Sequence, residues 1–189
     1  MAGETTKTTN LTNRREGLLR RNRGVSGILR TGQDTHSFAA ATELEAADAK
    51  IFEIPIPSNA IILDVASFHD DMETDGTPTL VVDIGLAAGA AYTSVTSGVA
   101  THHARDDIID ADLLVDGATG FQAAVTAFTS LTPDSDTWGA EDRLKEVWQL
   151  LGYDEDPHTT FNIVLVSATA GTGLSAAADC TLKVEYLVD

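Results

Sequence analysis

Phe52-Glu-Ile-Pro-Ile-Pro-Ser-Asn-Ala-Ile-Ile-Leu-Asp-Val-Ala-Ser-Phe68 and, after a polar turn, Thr79-Leu-Val-Val-Asp-Ile-Gly-Leu86 form the stretch whose reading decides the fold. Phe52, Ile54 and Ile56 alternate with Glu53 and Pro55, the period-2 signature of a half-buried strand. Pro55 and Pro57 have no amide donor to give a central ladder, so this strand belongs at a sheet edge or ends there. Ser58 and Asn59 supply a turn, and residues 60–68 run on as a second, largely apolar strand. Residues 70–76 are a charged turn closing on Gly76, where a positive φ costs little. Leu80, Val82, Ile84 and Leu86 then alternate with Val81, Asp83 and Gly85. This pattern predicts an antiparallel meander with one face in the core.

Working outward, the C-terminal part reads as two further strands. Residues 161–168 are nearly continuous in apolar side chains, as a central strand is, and Leu182, Val184, Tyr186 and Val188 alternate with Thr181, Lys183 and Glu185. Residues 121–131 alternate Phe121, Ala123, Val125 and Ala127 in a third strand. One helix is predicted over residues 138–151: Asp136 or Thr137 caps it, and Glu141 and Asp142 sit in its first turn. Leu144, Val147, Trp148 and Leu151 make its apolar stripe, and Gly152 stops it. Many strands with Gly-rich turns and one inserted helix predict an all-β antiparallel sandwich, jelly-roll-like, over residues 31–189.

The chain has 189 residues, enough for one domain with a real core. Its formal net charge is −17, distributed unevenly. Residues 1–30 carry seven Lys/Arg (Lys7, Arg14, Arg15, Arg20, Arg21, Arg23, Arg30) against Glu4 and Glu16, a balance of +5. The remaining 5 basic and 27 acidic residues leave the body at −22. The first 30 residues are rich in Thr, Asn, Gly and Arg and poor in large apolar side chains, so they predict an extended basic arm that orders on a partner. An acidic body repels phosphate and does not itself hold nucleic acid. Residues 1–10 have no apolar run of the secretory kind, and the uncharged run 84–104 is crowded with Gly, Ser, Thr and two His; both features predict a soluble chain outside any membrane.

Several patterns invite chemistry, and most do not support it. Cys180 stands alone within a strand and reads as a small buried hydrophobe in a chain made in the reducing compartment of a cell. Gly171-Thr-Gly173-Leu-Ser-Ala176 spells a dinucleotide-like motif, but only 13 residues follow and they read as a strand, so a hairpin loop is predicted. His102 and His103, with Asp106, Asp107, Asp110 and Asp112, could gather a metal; adjacent histidines point apart on a strand, and a solvated acidic loop is predicted. Asp71-x-Glu73-x-Asp75-Gly76 opens like a calcium loop, yet its twelfth position is Val82 where a bidentate Glu is needed. No metal, cofactor or catalytic residue is assigned, and the chain reads as a non-enzyme.

Three pieces carry a family resemblance: Ile56-Pro-Ser-Asn-Ala-Ile-Ile-Leu63, then Thr79-Leu-Val-Val-Asp-Ile-Gly-Leu86, then Phe161-Asn-Ile-Val-Leu-Val-Ser-Ala168 with Leu182-Lys-Val-Glu-Tyr186. Over roughly residues 50–189 the chain resembles the capsid decoration, or cement, proteins of tailed bacteriophages, which have a jelly-roll body. The helix 138–151 and the acidic insert depart from that pattern. The resemblance implies a virion protein on the capsid surface, with the major capsid protein as partner, and homo-oligomers, trimers among them. Arg14, Arg15, Arg20, Arg21, Arg23 and Arg30 would then be the capsid-docking arm. Two alternatives are a jelly-roll coat protein whose basic arm touches the genome, and a metal- or carbohydrate-binding β-sandwich module.

Overall fold

The computed structural model describes residues 27–38, 43, 48–131, 142–171, 174–175 and 177–188. Ten strands form among the described residues, most of them where an apolar side chain recurs at every second position. In chain order these are β1 (Ile28–Phe38), β2 (Ala49–Pro57), β3 (Ile61–His69), β4 (Val81–Ala88), β5 (Tyr92–Thr96), β6 (Val99–His103), β7 (Ile108–Ala118), β8 (Val125–Ser130), β9 (Thr160–Thr169) and β10 (Ala178–Val188). Four of them make sheet A in the order β1-β10-β3-β8, and four make sheet B in the order β2-β9-β4-β7. Every neighbouring pair is antiparallel. With the β5–β6 hairpin set aside, the eight strands have the two-sheet connectivity of a jelly roll, the architecture the sequence predicted.

The core lies between the sheets. Phe52, Ile54 and Ile56 of β2, Ile84 and Leu86 of β4, and Phe161, Ile163 and Leu165 of β9 face Val65 of β3 and Leu182 and Val184 of β10, all essentially inaccessible to solvent. β2 is the edge of sheet B, where its prolines can sit. Its pairing to β9 slips between Phe52 and Ile56, around Pro55. β9 is central in sheet B, as its unbroken apolar run required.

The meander is corrected. β2, β3 and β4 do not pair in succession: β2 and β4 belong to sheet B and β3 to sheet A. Alternation reports that one face is buried and is silent on which sheet provides the burial. The hairpin predicted at residues 171–176 is corrected for the same reason, since β9 and β10 lie in different sheets and the chain between them crosses over. Gly76 does not take a positive φ; residues 70–80 form a longer irregular connection pinned where Glu73 bridges Leu174. The acidic stretch 102–116 is mostly strand, because Asp110, Asp112 and Asp116 alternate with residues that pack on the core.

The helix is shorter than its stripe implied. One turn, α1 (Val147–Leu150), follows Glu146, whose ψ of 155° is extended, so no helix runs through it. Glu146 and Gln149 form a capping box, and Gly152 stops the turn at φ +70°. Leu144, expected in the stripe, is 58% exposed; residues 138–141 lie outside the described residues. Phe121 lies within a 3-10 turn (Gly120–Gln122) rather than a strand, and β8 starts only at Val125.

Candidate docking surface

Alternation along β10 sorts sheet A into two faces. Cys180, Leu182 and Val184 point into the core opposite His69, Ser67 and Val65 of β3. Thr181, Lys183 and Glu185 therefore point outward, opposite Phe68, Ala66 and Asp64, with Thr35, Gln33 and Thr31 of β1 on their other side. Phe68 and Phe128 meet on this outer face with ring centroids 6.1 Å apart, and both are substantially exposed (39% and 44%). Lys183 lays its ammonium 5.3 Å from the Phe128 ring centroid and 3.1 Å from the Glu185 carboxylate. Sequence reasoning had no site here, because it assigned apolar residues of strands to the core. The out-of-phase signal was present in Lys183 and Glu185, which mark the register that Phe68 shares.

The outer face of sheet B is roofed instead. A Cβ on Gly85 would lie 1.9 Å from the Asp110 carbonyl oxygen and 2.5 Å from the Ala111 carbonyl carbon, so β7 passes directly over it. Between Ile84 and Leu86 the partner strand moves from Val115 to Asp110, a wide bulge that lets β7 fold across the sheet. Beneath that roof Val164 and Ala87 are fully buried and Asn162 nearly so. The turn before β7 adds to the cover: Arg105 reaches Glu53 at 3.0 Å, and Asp106 and Ala88 are joined through the backbone.

The first described residues lie at the edge of sheet A. Gly27 packs so closely on the end of β10 that a Cβ there would sit 2.6 Å from the Val188 carbonyl oxygen. Arg30 belongs to β1, opposite Tyr186, and is exposed. The described chain thus enters sheet A at Ile28, ahead of Arg30. Arg14, Arg15, Arg20, Arg21 and Arg23 lie outside the described residues. Ile28 and Leu29, at the root, are 61% and 57% exposed.

The other candidates are occupied by structure. The β5–β6 hairpin turns at Ser97 and Gly98, both with positive φ, and the Asp154 carboxylate accepts both of their amides. Tyr92 stacks on His103 at 4.7 Å and shares a 2.7 Å hydroxyl hydrogen bond with Tyr153; burial raises its phenol well above the ordinary value. Ser94 and His103 hydrogen-bond at 3.0 Å beside a shallow cleft of about 190 Å³. Among the described residues no carboxylate holds the other nitrogen of His103, and no group of three metal-ligating side chains occurs. Asp110, on the cleft wall, is pushed up to about 6 by burial and by its hydrogen bond with Asp112. Glu73 is buried, and its carboxylate accepts the Thr79 and Leu80 amides at 2.7 and 2.6 Å, so it closes a turn instead of presenting a calcium ligand. Cys180 is fully buried, and burial pushes its thiol up to about 12, as an inert core thiol requires.

No protein-family model matches the chain, and no curated protein matches it. Among solved structures it is similar to a chain in the capsid asymmetric unit of cyanophage Pam1, with TM-score 0.57 and 18% identity over 86% of each chain. A chain in the capsid of Ralstonia phage GP4 is similar with TM-score 0.54 and 18% identity, again over 86% of each chain. At that identity the likeness is one of fold.

Proposed function

We propose that this chain is a non-enzymatic virion structural protein that binds and stabilises a bacteriophage capsid shell, with its basic arm laid across neighbouring capsomers. The observation carrying this reading is the fold likeness to chains of two phage capsids, over 86% of both partners in each case. The basic residues of the arm form charge-assisted hydrogen bonds with acidic groups of the major capsid protein. The acidic body faces solvent, and homo-oligomers, trimers among them, set several arms on one shell so that weak contacts act together.

The test is co-sedimentation with shells of the same virus stripped of this protein, comparing the full chain with one lacking residues 1–26. Pelleting of the full chain, weakened in the truncated one, supports the reading. A full chain that stays in the supernatant overturns it. Retention of free DNA by the full chain in place of shells would assign the arm to the genome.

A further inference from the structure

We propose that the outer face of sheet A, centred on Phe68 and Phe128, is the surface that seats against the capsid shell protein. This rests on the shell-binding reading and names the surface that performs it. Of the eight large apolar residues most exposed among the described residues, four lie on this outer face: Leu29 on β1, Leu63 and Phe68 on β3, and Phe128 on β8. Sheet B offers no equivalent, because the bulged β7 covers its outer face. Exposed aromatic pairs in contact with a lysine are the side chains that anchor protein interfaces once water is excluded.

Charge and size decide the occupant. The outward charges of this face are Lys183 against Asp179, Glu185 and Asp64, a balance of −2 on a chain of −17, with Asp179 at one end of the face and the two rings toward its middle. Lys183 is already paired with Glu185, so the partner patch is apolar at its centre, with aliphatic or aromatic side chains that cover the two rings. β10 and β3 share eight register positions, so the four-stranded face measures about 26 by 19 Å, roughly 500 Å². A stable interface buries about 800 Å² on each partner, so this face alone does not hold two free copies together. Tethered docking needs less area. The 26 residues before Gly27 join the body at this sheet's edge and can span at most about 90 Å, so a bound arm holds the face at high local concentration over the same shell.

The two contacts respond differently to salt, which makes them separable. Binding to stripped shells is measured over a range of salt for the intact chain, for F68S/F128S and for the chain lacking residues 1–26. The double variant is expected to weaken binding about tenfold or more at every salt concentration with an unchanged salt slope. The truncated chain is expected to flatten the slope. Binding of the intact chain that F68S/F128S leaves unaltered overturns this face while the shell-binding reading stands; no binding by the intact chain overturns both. A change in the sedimentation coefficient of the free double variant assigns the face to copy–copy contact and also overturns the proposal. If the double variant does not melt cooperatively, radical footprinting of the unaltered chain decides. Protection of Phe68 and Phe128 on shells supports the proposal, and equal labelling free and bound overturns it.

Discussion

Gly85 and His69 show how single positions govern this sandwich. Any side chain at Gly85 collides with backbone of β7, which neither a rotamer change nor a small shift relieves. Gly85→Ala is expected to destabilise the fold by about 1–3 kcal/mol, read from the urea midpoint. His69 is buried, stacked on Phe121 at 4.4 Å, with Nδ1 donating to the Asp70 carbonyl at 2.9 Å. Burial lowers its pKa against the opposing pull of the Asp70 backbone and of the Asp70 and Asp71 carboxylates. Its unfolded value is near 6.5, so the neutral ring's contribution is complete above that pH and is lost as pH falls through the lowered folded value. Asp110 acts in the opposite sense. Its raised pKa of about 6 gives a contribution that is complete below the ordinary 3.8 and lost as pH rises to about 6. Unfolding free energies measured across this range should therefore have a shallower acid-side fall in His69→Leu, and Asp110→Asn should remove the opposing slope.

At the scale of elements, legibility followed the physics that each pattern reports. Pro55 and Pro57 placed β2 at an edge because a missing donor is a local fact, and the apolar run 161–168 placed β9 centrally because only a strand covered on both faces tolerates it. Pairing across the sandwich was not legible: β3 joins β10 and β8, partners more than 50 residues away, and nothing local encodes that choice. The helix failed in a physically informative way. Leu144, Val147, Trp148 and Leu151 have helical spacing, but the amides of Val147 and Trp148 are taken by the carbonyls of Ala60 and Ser58, so tertiary bonds fix the extended Glu146 and the single turn after it. Strand β1 was hidden because Thr31, Gly32, Gln33, Asp34 and Thr35 offer no apolar alternation at a mostly exposed edge. The connection between β3 and β4 is held by Glu73, whose buried carboxylate satisfies two amides at once. Glu73→Ala leaves both without that partner and is expected to cost about 1–3 kcal/mol for each, measured by denaturant unfolding. Fast hydrogen exchange at Thr79 and Leu80 would accompany the loss.

For the molecule as a whole, the division of charge sets the behaviour expected of the complex. Residues 1–30 balance at +5 and the remainder at −22, so the proposed shell binding should be salt-sensitive through the first 30 residues. Shells carrying the full chain should release their genome at a higher temperature than bare shells. Raising the salt from about 0.1 to 1 M, which shortens the screening length from about 10 to 3 Å, should erase much of that gain. A DNA-release assay by dye fluorescence during heating checks both. The pairing of β1 with β10 has a further consequence, for the timing of synthesis. β10 stands between β1 and β3, so sheet A has no contiguous form until β10 has left the ribosome. Until then β1 waits, unpaired, through about 140 residues of translation, and the sandwich closes only after β10 has been made. A nascent chain stalled before residue 178 should therefore be open to protease throughout sheet A, and one stalled after the whole of β10 has cleared the exit tunnel should be resistant.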